Sequence, residues 1–196
     1  MLSLSALFWI AVGAFALVGA LRGWAREIVA TSGLVLALFI INQFGFTILS
    51  LLGQTPAGLN DPILAQKRQF YIYSAILMFL AFFSYQSPRL SGTIGARLRP
   101  RDTFQDKLLG AIVGGVNGYL IAGAIWAFLE YTNTGASQWI QLSPGVPYPF
   151  DPVVIVRPAV GTTAANMVMR MPIPLLSPYL PYLMVLMFLF VIIVMI

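Results

Sequence analysis

The chain has 196 residues, of which 59% are apolar and 9% charged, with 11 Lys and Arg against 6 Asp and Glu for a formal charge of +5. A soluble globule carries about a quarter charged residues, so this composition cannot cover a water-facing surface and excludes a soluble fold. There is neither Cys nor His, which excludes disulfides, thiolate nucleophiles, Fe–S clusters, the common zinc sites, a Ser-His-Asp triad and His-ligated haem.

A membrane-spanning helix needs about 20 mostly apolar residues, each adding about 1.5 Å across a hydrocarbon slab of about 30 Å. In chain order, the candidate spans are residues 4–21, 28–52 (interrupted only by Asn42 and Gln43), 70–83, 108–129 and 182–196. The pattern predicts an all-α, polytopic membrane helix bundle: four transmembrane helices plus a C-terminal hydrophobic helix. The last run has about 15 unbroken apolar residues, short for a vertical span. It crosses only where the slab is thin, or lies half-inserted.

Punctuation supports these boundaries. Asn60-Asp61-Pro62 places a cap and then Pro at a first helical position, so the third helix starts well before its apolar part. Thr103-Phe104-Gln105-Asp106 reads as a capping box opening the fourth helix. Ser87-Pro88 ends the third, and Pro178 and Pro181 precede the fifth. The chain divides into a four-helix membrane region (1–130), a Pro-rich extracytoplasmic segment (131–178) and the C-terminal hydrophobic helix (179–196).

Orientation follows from Lys and Arg near the span ends. Arg22, Arg26, Arg89, Arg97, Arg99, Arg101 and Lys107 share one side, and Lys67, Arg68, Arg157 and Arg170 the other. The richer side is expected to be cytoplasmic. The N-terminus then lies outside, and the C-terminus inside if the fifth helix spans. Residues 1–21 lack a basic leader segment, and their Arg residues follow the apolar run, which argues against a cleaved signal peptide.

Two features lie at the membrane surface. Residues 88–101 read PRLSGTIGARLRPR, with Leu90, Ile94 and Leu98 on one helical face. The segment is either a basic loop or a short interfacial helix placing Arg89, Arg97, Arg99 and Arg101 on lipid headgroups. Residues 131–178 hold eight of the thirteen prolines and only Asp151, Arg157 and Arg170 as charges. The segment either packs on its own helices or the lipid interface, or presents Trp139, Tyr148 and Phe150 to a partner protein; the partner reading is the expectation.

Glycine patterning is the strongest signal inside the spans. Gly110, Gly114, Gly118 and Ala122 are each four apart, and Gly19 and Gly23 notch the end of span one. Such stripes let a neighbouring helix approach closely. Gly19-Ala20-Leu21-Arg22-Gly23-Trp24-Ala25-Arg26-Glu27-Ile28 resembles the G-x-x-R-G-aromatic-x-R-E signature of the colicin V production (CvpA) family. Asp106, Lys107, Gly110, Gly114 and Gly118 resemble that family's D-[RK]-x-x-G-x-x-x-G-x-x-x-G stretch. The resemblance covers about residues 1–130. It implies a small bacterial inner-membrane protein with four spans and no established enzymatic chemistry, linked to colicin export and envelope upkeep.

The span interiors hold no Asp, Glu, Lys or Arg, and Asn117 is their main polar residue. An interhelical hydrogen bond is its expected role, ahead of pore lining. Glu130 is expected within reach of water at the outer end of span four. At the cytoplasmic rim, Arg22, Arg26, Glu27 and Asp106 are candidate ion-pair residues. Arg22 or Arg26 is expected to pair with Asp106 and fix span four against the first hairpin; the alternative is separate solvated charges plus an N-terminal cap. No cofactor or metal site is indicated and nucleic acid is not an expected partner, since the cations lie at bilayer edges. Other integral membrane proteins and lipids are the expected partners, with pigments or quinone only as neighbours. The leading functional expectation is a non-enzymatic accessory or scaffold subunit of a larger membrane assembly, such as a respiratory or photosynthetic complex. The alternatives are an envelope-maintenance or colicin export factor, and a small channel or transporter.

Overall fold

The computed structural model describes residues 3–54, 61–86, 103–135, 137–151 and 153–195. Four long helices form the bundle: α1 (Leu4–Arg22), α2 (Trp24–Leu51), α3 (Pro62–Gln86) and α4 (Thr103–Glu130). A hairpin of β1 (Tyr131–Gly135) and β2 (Gln138–Gln141) follows, then short helices α5 (Thr163–Val168) and α6 (Pro172–Leu176), a 3-10 turn (Ser177–Tyr179) and α7 (Leu180–Met195). Helices α1, α2, α4 and the stretch Thr163–Phe190 are long and apolar enough to cross a membrane by length and composition. The protein is therefore a multi-pass membrane helix bundle. Arg89, Arg97, Arg99 and Arg101 lie outside the described residues.

The local signals act as the sequence indicates. Asp61 Oδ1 accepts from the backbone N–H of Ile63 at 2.9 Å and of Leu64 at 3.3 Å, and Pro62 opens α3. Helix α1 packs chiefly along α4, and α2 lies against α3 and α4. The core is apolar and continuous, with Leu34, Leu38 and Ile41 of α2, Tyr73 and Leu77 of α3, and Ala124, Ala127 and Phe128 of α4 fully or almost fully buried.

Helix α7 runs antiparallel along α2. At one end Ser177 Oγ donates to Asn42 Oδ1 at 2.6 Å; about three turns further, Ser32 Oγ lies 3.6 Å from Met187 Sδ, and Phe190 lines a groove with Ile28. The short terminal helix thus lies along the Ile28–Asn42 part of α2 rather than across it. Its C-terminal part sits at the end of the bundle where α1 turns into α2.

The segment after α4 is more ordered than its prolines suggest. β1 and β2 pair antiparallel, Tyr131 with Gln141 and Asn133 with Trp139, with an irregularity between Asn133 and Gly135. Gln66 and Gln69 of α3 grip this hairpin. Gln69 Nε2 donates to the Tyr131 carbonyl at 2.9 Å, Gln69 Oε1 accepts from the Asn133 N–H at 2.9 Å, and Gln66 Oε1 accepts from the Thr132 hydroxyl at 2.6 Å. The polar residues that shorten the apolar run of α3 are the ones that hold the hairpin.

Candidate functional site

At the turn end of the bundle, four helices meet in a buried polar cluster. Helix α1 stops at Arg22 and α2 starts at Trp24, so Gly23 alone makes the turn, at φ +87° and ψ 151°. A positive φ is accessible to glycine at little cost. The α2 N-terminus has no cap from its own preceding residue. Asp106 of α4 supplies one, its Oδ1 accepting the Trp24 N–H at 3.2 Å, where a carboxylate also meets the positive end of the α2 dipole. A Cβ on Gly23 would sit 2.8 Å from that carboxylate.

This arrangement corrects the expected pairing. Among the described residues the ion pairs are Arg22–Glu27 and Arg157–Glu130, so neither Arg22 nor Arg26 pairs with Asp106. The Asp106 carboxylate reaches across to α2 and Arg22 turns the other way; the Thr103 side chain of the expected capping box lies outside the described residues. Asp106→Ala is expected to destabilise the bundle by about 1 kcal/mol, the usual cost of losing a cap. Asp106→Asn, which keeps the accepting oxygen, is expected to retain most of that. Thermal unfolding of the purified variants in detergent checks both, and equal losses would exclude a capping role.

Glu27 is fully buried, although it lies only one turn into α2. Its Oε1 accepts from Arg22 Nη1 at 2.5 Å. Its Oε2 accepts from Asn117 Nδ2 at 2.8 Å and from the Tyr85 hydroxyl at 3.1 Å. Asn117 Nδ2 also reaches the Glu27 carbonyl at 3.1 Å, and Asn117 Oδ1 accepts from the Thr31 hydroxyl at 2.7 Å. Arg22 donates to the Tyr85 carbonyl at 3.1 Å, its guanidinium 4.5 Å above the Tyr85 ring centre. One carboxylate therefore ties α1, α2, α3 and α4 together. Arg26 is exposed and belongs to neither ion pair.

The glycine stripe sits directly above this cluster. A Cβ on Gly19 would run into the Gly110 carbonyl oxygen and lie 2.8 Å from the Gly114 Cα. A Cβ on Gly110 would strike the Gly19 carbonyl oxygen, and one on Gly118 would lie 2.8 Å from the Phe15 Cβ. Backbone thus touches backbone from Gly19 to Gly114. Ala122, at the end of the stripe, packs against the core partly buried.

A second cluster closes the hairpin end. The Glu130 side chain is only 5% exposed, not water-accessible as its position suggests. Arg157 Nη2 donates to Glu130 Oε1 at 2.5 Å and Arg157 Nε to Oε2 at 3.1 Å. The remaining Arg157 donors reach the carbonyls of Leu142, Ser143 and Val146 at 2.7–2.8 Å. Gln141 Nε2 and the Tyr148 hydroxyl complete the shell around Glu130 at 2.9 and 2.8 Å. Burial, reinforced by the Glu130 charge, holds the Tyr148 phenol far above its ordinary pKa, so it stays a donor.

Trp139, Tyr148 and Phe150, expected to face a partner, turn onto the chain's own helices. Trp139 donates to Asn42 Oδ1 at 2.8 Å and stacks against Phe128. Tyr148 is buried beside Trp126, and the Phe150 ring meets Phe70 at 5.1 Å between centres. The apolar residues left outside in this segment include Ile140, Met169, Leu175 and a run of valines, Val153, Val154, Val156 and Val160.

A family model described as colicin V production protein matches residues 4–153, well over half of the chain. The chain belongs to this family. No curated protein and no solved structure matches it. The match extends past residue 130, the expected boundary, and takes in the hairpin and Tyr148. In this member of the colicin V production family, the two signature segments form one physical unit. Gly19 and Gly23 of the first receive Gly110 and Asp106 of the second, and Glu27 of the first receives Asn117 between Gly114 and Gly118.

Sequence reasoning missed two things. It named Glu27 as a rim ion-pair residue without its full burial or its bond to Asn117, and it left Glu130 and Arg157 unconnected. Signals existed for both: a lone Asn in an apolar span needs a partner, and so do a lone acid and a lone Arg flanking an apolar segment.

Proposed function

We propose that this protein serves colicin production or envelope upkeep as a non-enzymatic membrane scaffold, shaped to fit lipid and other integral membrane proteins. The observation that carries this reading is the state of its buried acid and amide side chains. Glu27, Asn117, Glu130, Asn42, Gln66 and Gln69 all spend their hydrogen-bonding capacity on partners within the chain. A catalytic or conducting site keeps polar capacity free for substrate or ion; these groups spend theirs on holding helices together. In this reading the protein sits in the bacterial inner membrane with the Gly23 turn facing the cytoplasm and the hairpin outside.

The test is deletion in a colicin V-producing host. The expected result is lower secreted colicin activity or greater envelope sensitivity to detergent, restored by the intact gene, with respiratory complexes at parental levels. Because the chain has no cysteine, Val160→Cys, at an exposed position, in the complementing copy is expected to react with a membrane-impermeant maleimide from outside. Normal export and envelope with loss of a respiratory or photosynthetic complex would overturn the proposal in favour of an accessory-subunit role, for which the exposed valines at 153, 154, 156 and 160 offer a surface. Ion flux through the purified chain in liposomes would overturn it in favour of a channel.

A further inference from the structure

The two faces of α7 do not close on the bundle. Between α2, α3 and α7 an apolar groove of about 320 Å³ remains, lined by Val29, Gly33 and Leu36 of α2, Ser84 of α3, and Met184 and Phe188 of α7 among others. The polar atoms within it are committed: Ser84 Oγ donates to the Val29 carbonyl at 3.0 Å, and Ser32 Oγ to the Ile28 carbonyl at 3.0 Å. A groove with almost wholly apolar surface to offer suits a hydrocarbon chain.

Its mouth is not apolar. Arg26, Val29, Gly33 and Leu36 follow one another at three- and four-residue spacing, the interval that aligns side chains along one side of a helix. Arg26 therefore stands one turn beyond the groove toward the turn end, on the side of α2 that lines it. It is exposed and outside both ion pairs, whereas Arg22, one turn earlier, is committed to Glu27 and Tyr85. An apolar trough of acyl-chain character with an uncommitted guanidinium at its membrane-surface end matches one molecule in charge and in shape: a phospholipid with an anionic headgroup.

We propose that the α2–α3–α7 groove is a binding site for an anionic phospholipid, one acyl chain lying against Val29, Gly33 and Leu36 and the phosphate on Arg26. The site joins α7 to the bundle through lipid where protein contact is thin. It explains why a short terminal helix, with α2 as its main long neighbour, keeps its place beside Gly33.

The test is native mass spectrometry of the full chain released from nanodiscs containing phosphatidylglycerol and phosphatidylethanolamine in equal amounts. The expected result is retention of one phosphatidylglycerol at about tenfold preference. Arg26→Gln is expected to abolish the preference, while Lys107→Gln, a cation at the same end on α4, leaves it unchanged. Met184→Trp, which fills the groove from α7 without touching Arg26, is expected to lower retention of both lipids. Thermal unfolding confirms that each variant is folded. Equal retention of the two lipids, an unchanged preference in Arg26→Gln, or equal loss in Lys107→Gln would overturn the proposal; the last outcome would mark a diffuse cationic surface. A second copy of the chain retained in place of lipid would overturn it as well.

Discussion

Gly110→Ala is expected to separate α1 from α4 and to be among the most damaging single-methyl changes in this protein. The added Cβ meets the Gly19 carbonyl oxygen and lies 3.1 Å from the Trp24 backbone nitrogen, and neither is the movable end of a side chain. Relief requires the two helices to move apart along the whole Gly19–Gly114 contact. Overpacking a tight core costs about 1–3 kcal/mol, and backbone-to-backbone contact places this case at or above about 3 kcal/mol. In lipid the loss is not offset by water expulsion, since helix association there rests on close packing. Gly13→Ala is the matched control. Nothing lies within 4 Å of a Cβ at Gly13, so that change is expected to be neutral or to stabilise by about 0.5–1 kcal/mol through helix propensity. Denaturant unfolding in mixed micelles measures both. Similar stabilities for the two variants would show that the stripe is not a contact surface.

Glu27→Ala is the second large effect. It strips the acceptor from Arg22, Tyr85 and Asn117 together, leaving a guanidinium and an amide without their main partner in the bundle interior. Removing one member of a buried ion pair costs about 3–5 kcal/mol. The double change Arg22→Met with Glu27→Met removes both charges and fills the space with apolar volume. It is expected to recover most of the loss, because buried pairs replaced by packed apolar residues are often near neutral. A double-mutant cycle on unfolding free energies separates the two. If the single and double variants are equally unstable, the cluster contributes through shape alone. If Glu27→Ala is silent, it carries no structural role.

These two experiments probe the two halves of one joint. The glycines set how near α1 and α4 come, and that nearness puts Asn117 within reach of Glu27. A failure at Gly110 is therefore expected to weaken the carboxylate cluster, whereas the Met–Met pair is expected to leave the glycine contact intact. Non-additivity between Gly110→Ala and Glu27→Ala measures this coupling, since sites joined by a shared backbone shift do not add.

Much of this protein was determined by its sequence read as a line. The apolar runs, the Asp61-Pro62 start of α3 and the spacing of Gly110, Gly114 and Gly118 dictate a membrane helix bundle with a close interhelical seam, because periodicity and hydropathy are local properties. The fate of the charges was not local. Glu27 next to Arg26 and Asp106 next to Lys107 carry no mark of which is buried and which caps a helix. That choice depends on which groups a neighbouring helix brings within about 3 Å. The same holds for Trp139, Tyr148 and Phe150: an apolar, proline-rich stretch reads as a partner surface, the expectation here, or as a segment packed on its own helices. Only the positions of Asn42, Trp126 and Phe70 on three other helices decide that it folds inward. Hydropathy tells a residue to leave water, and the three-dimensional packing alone chooses the neighbour it leaves for.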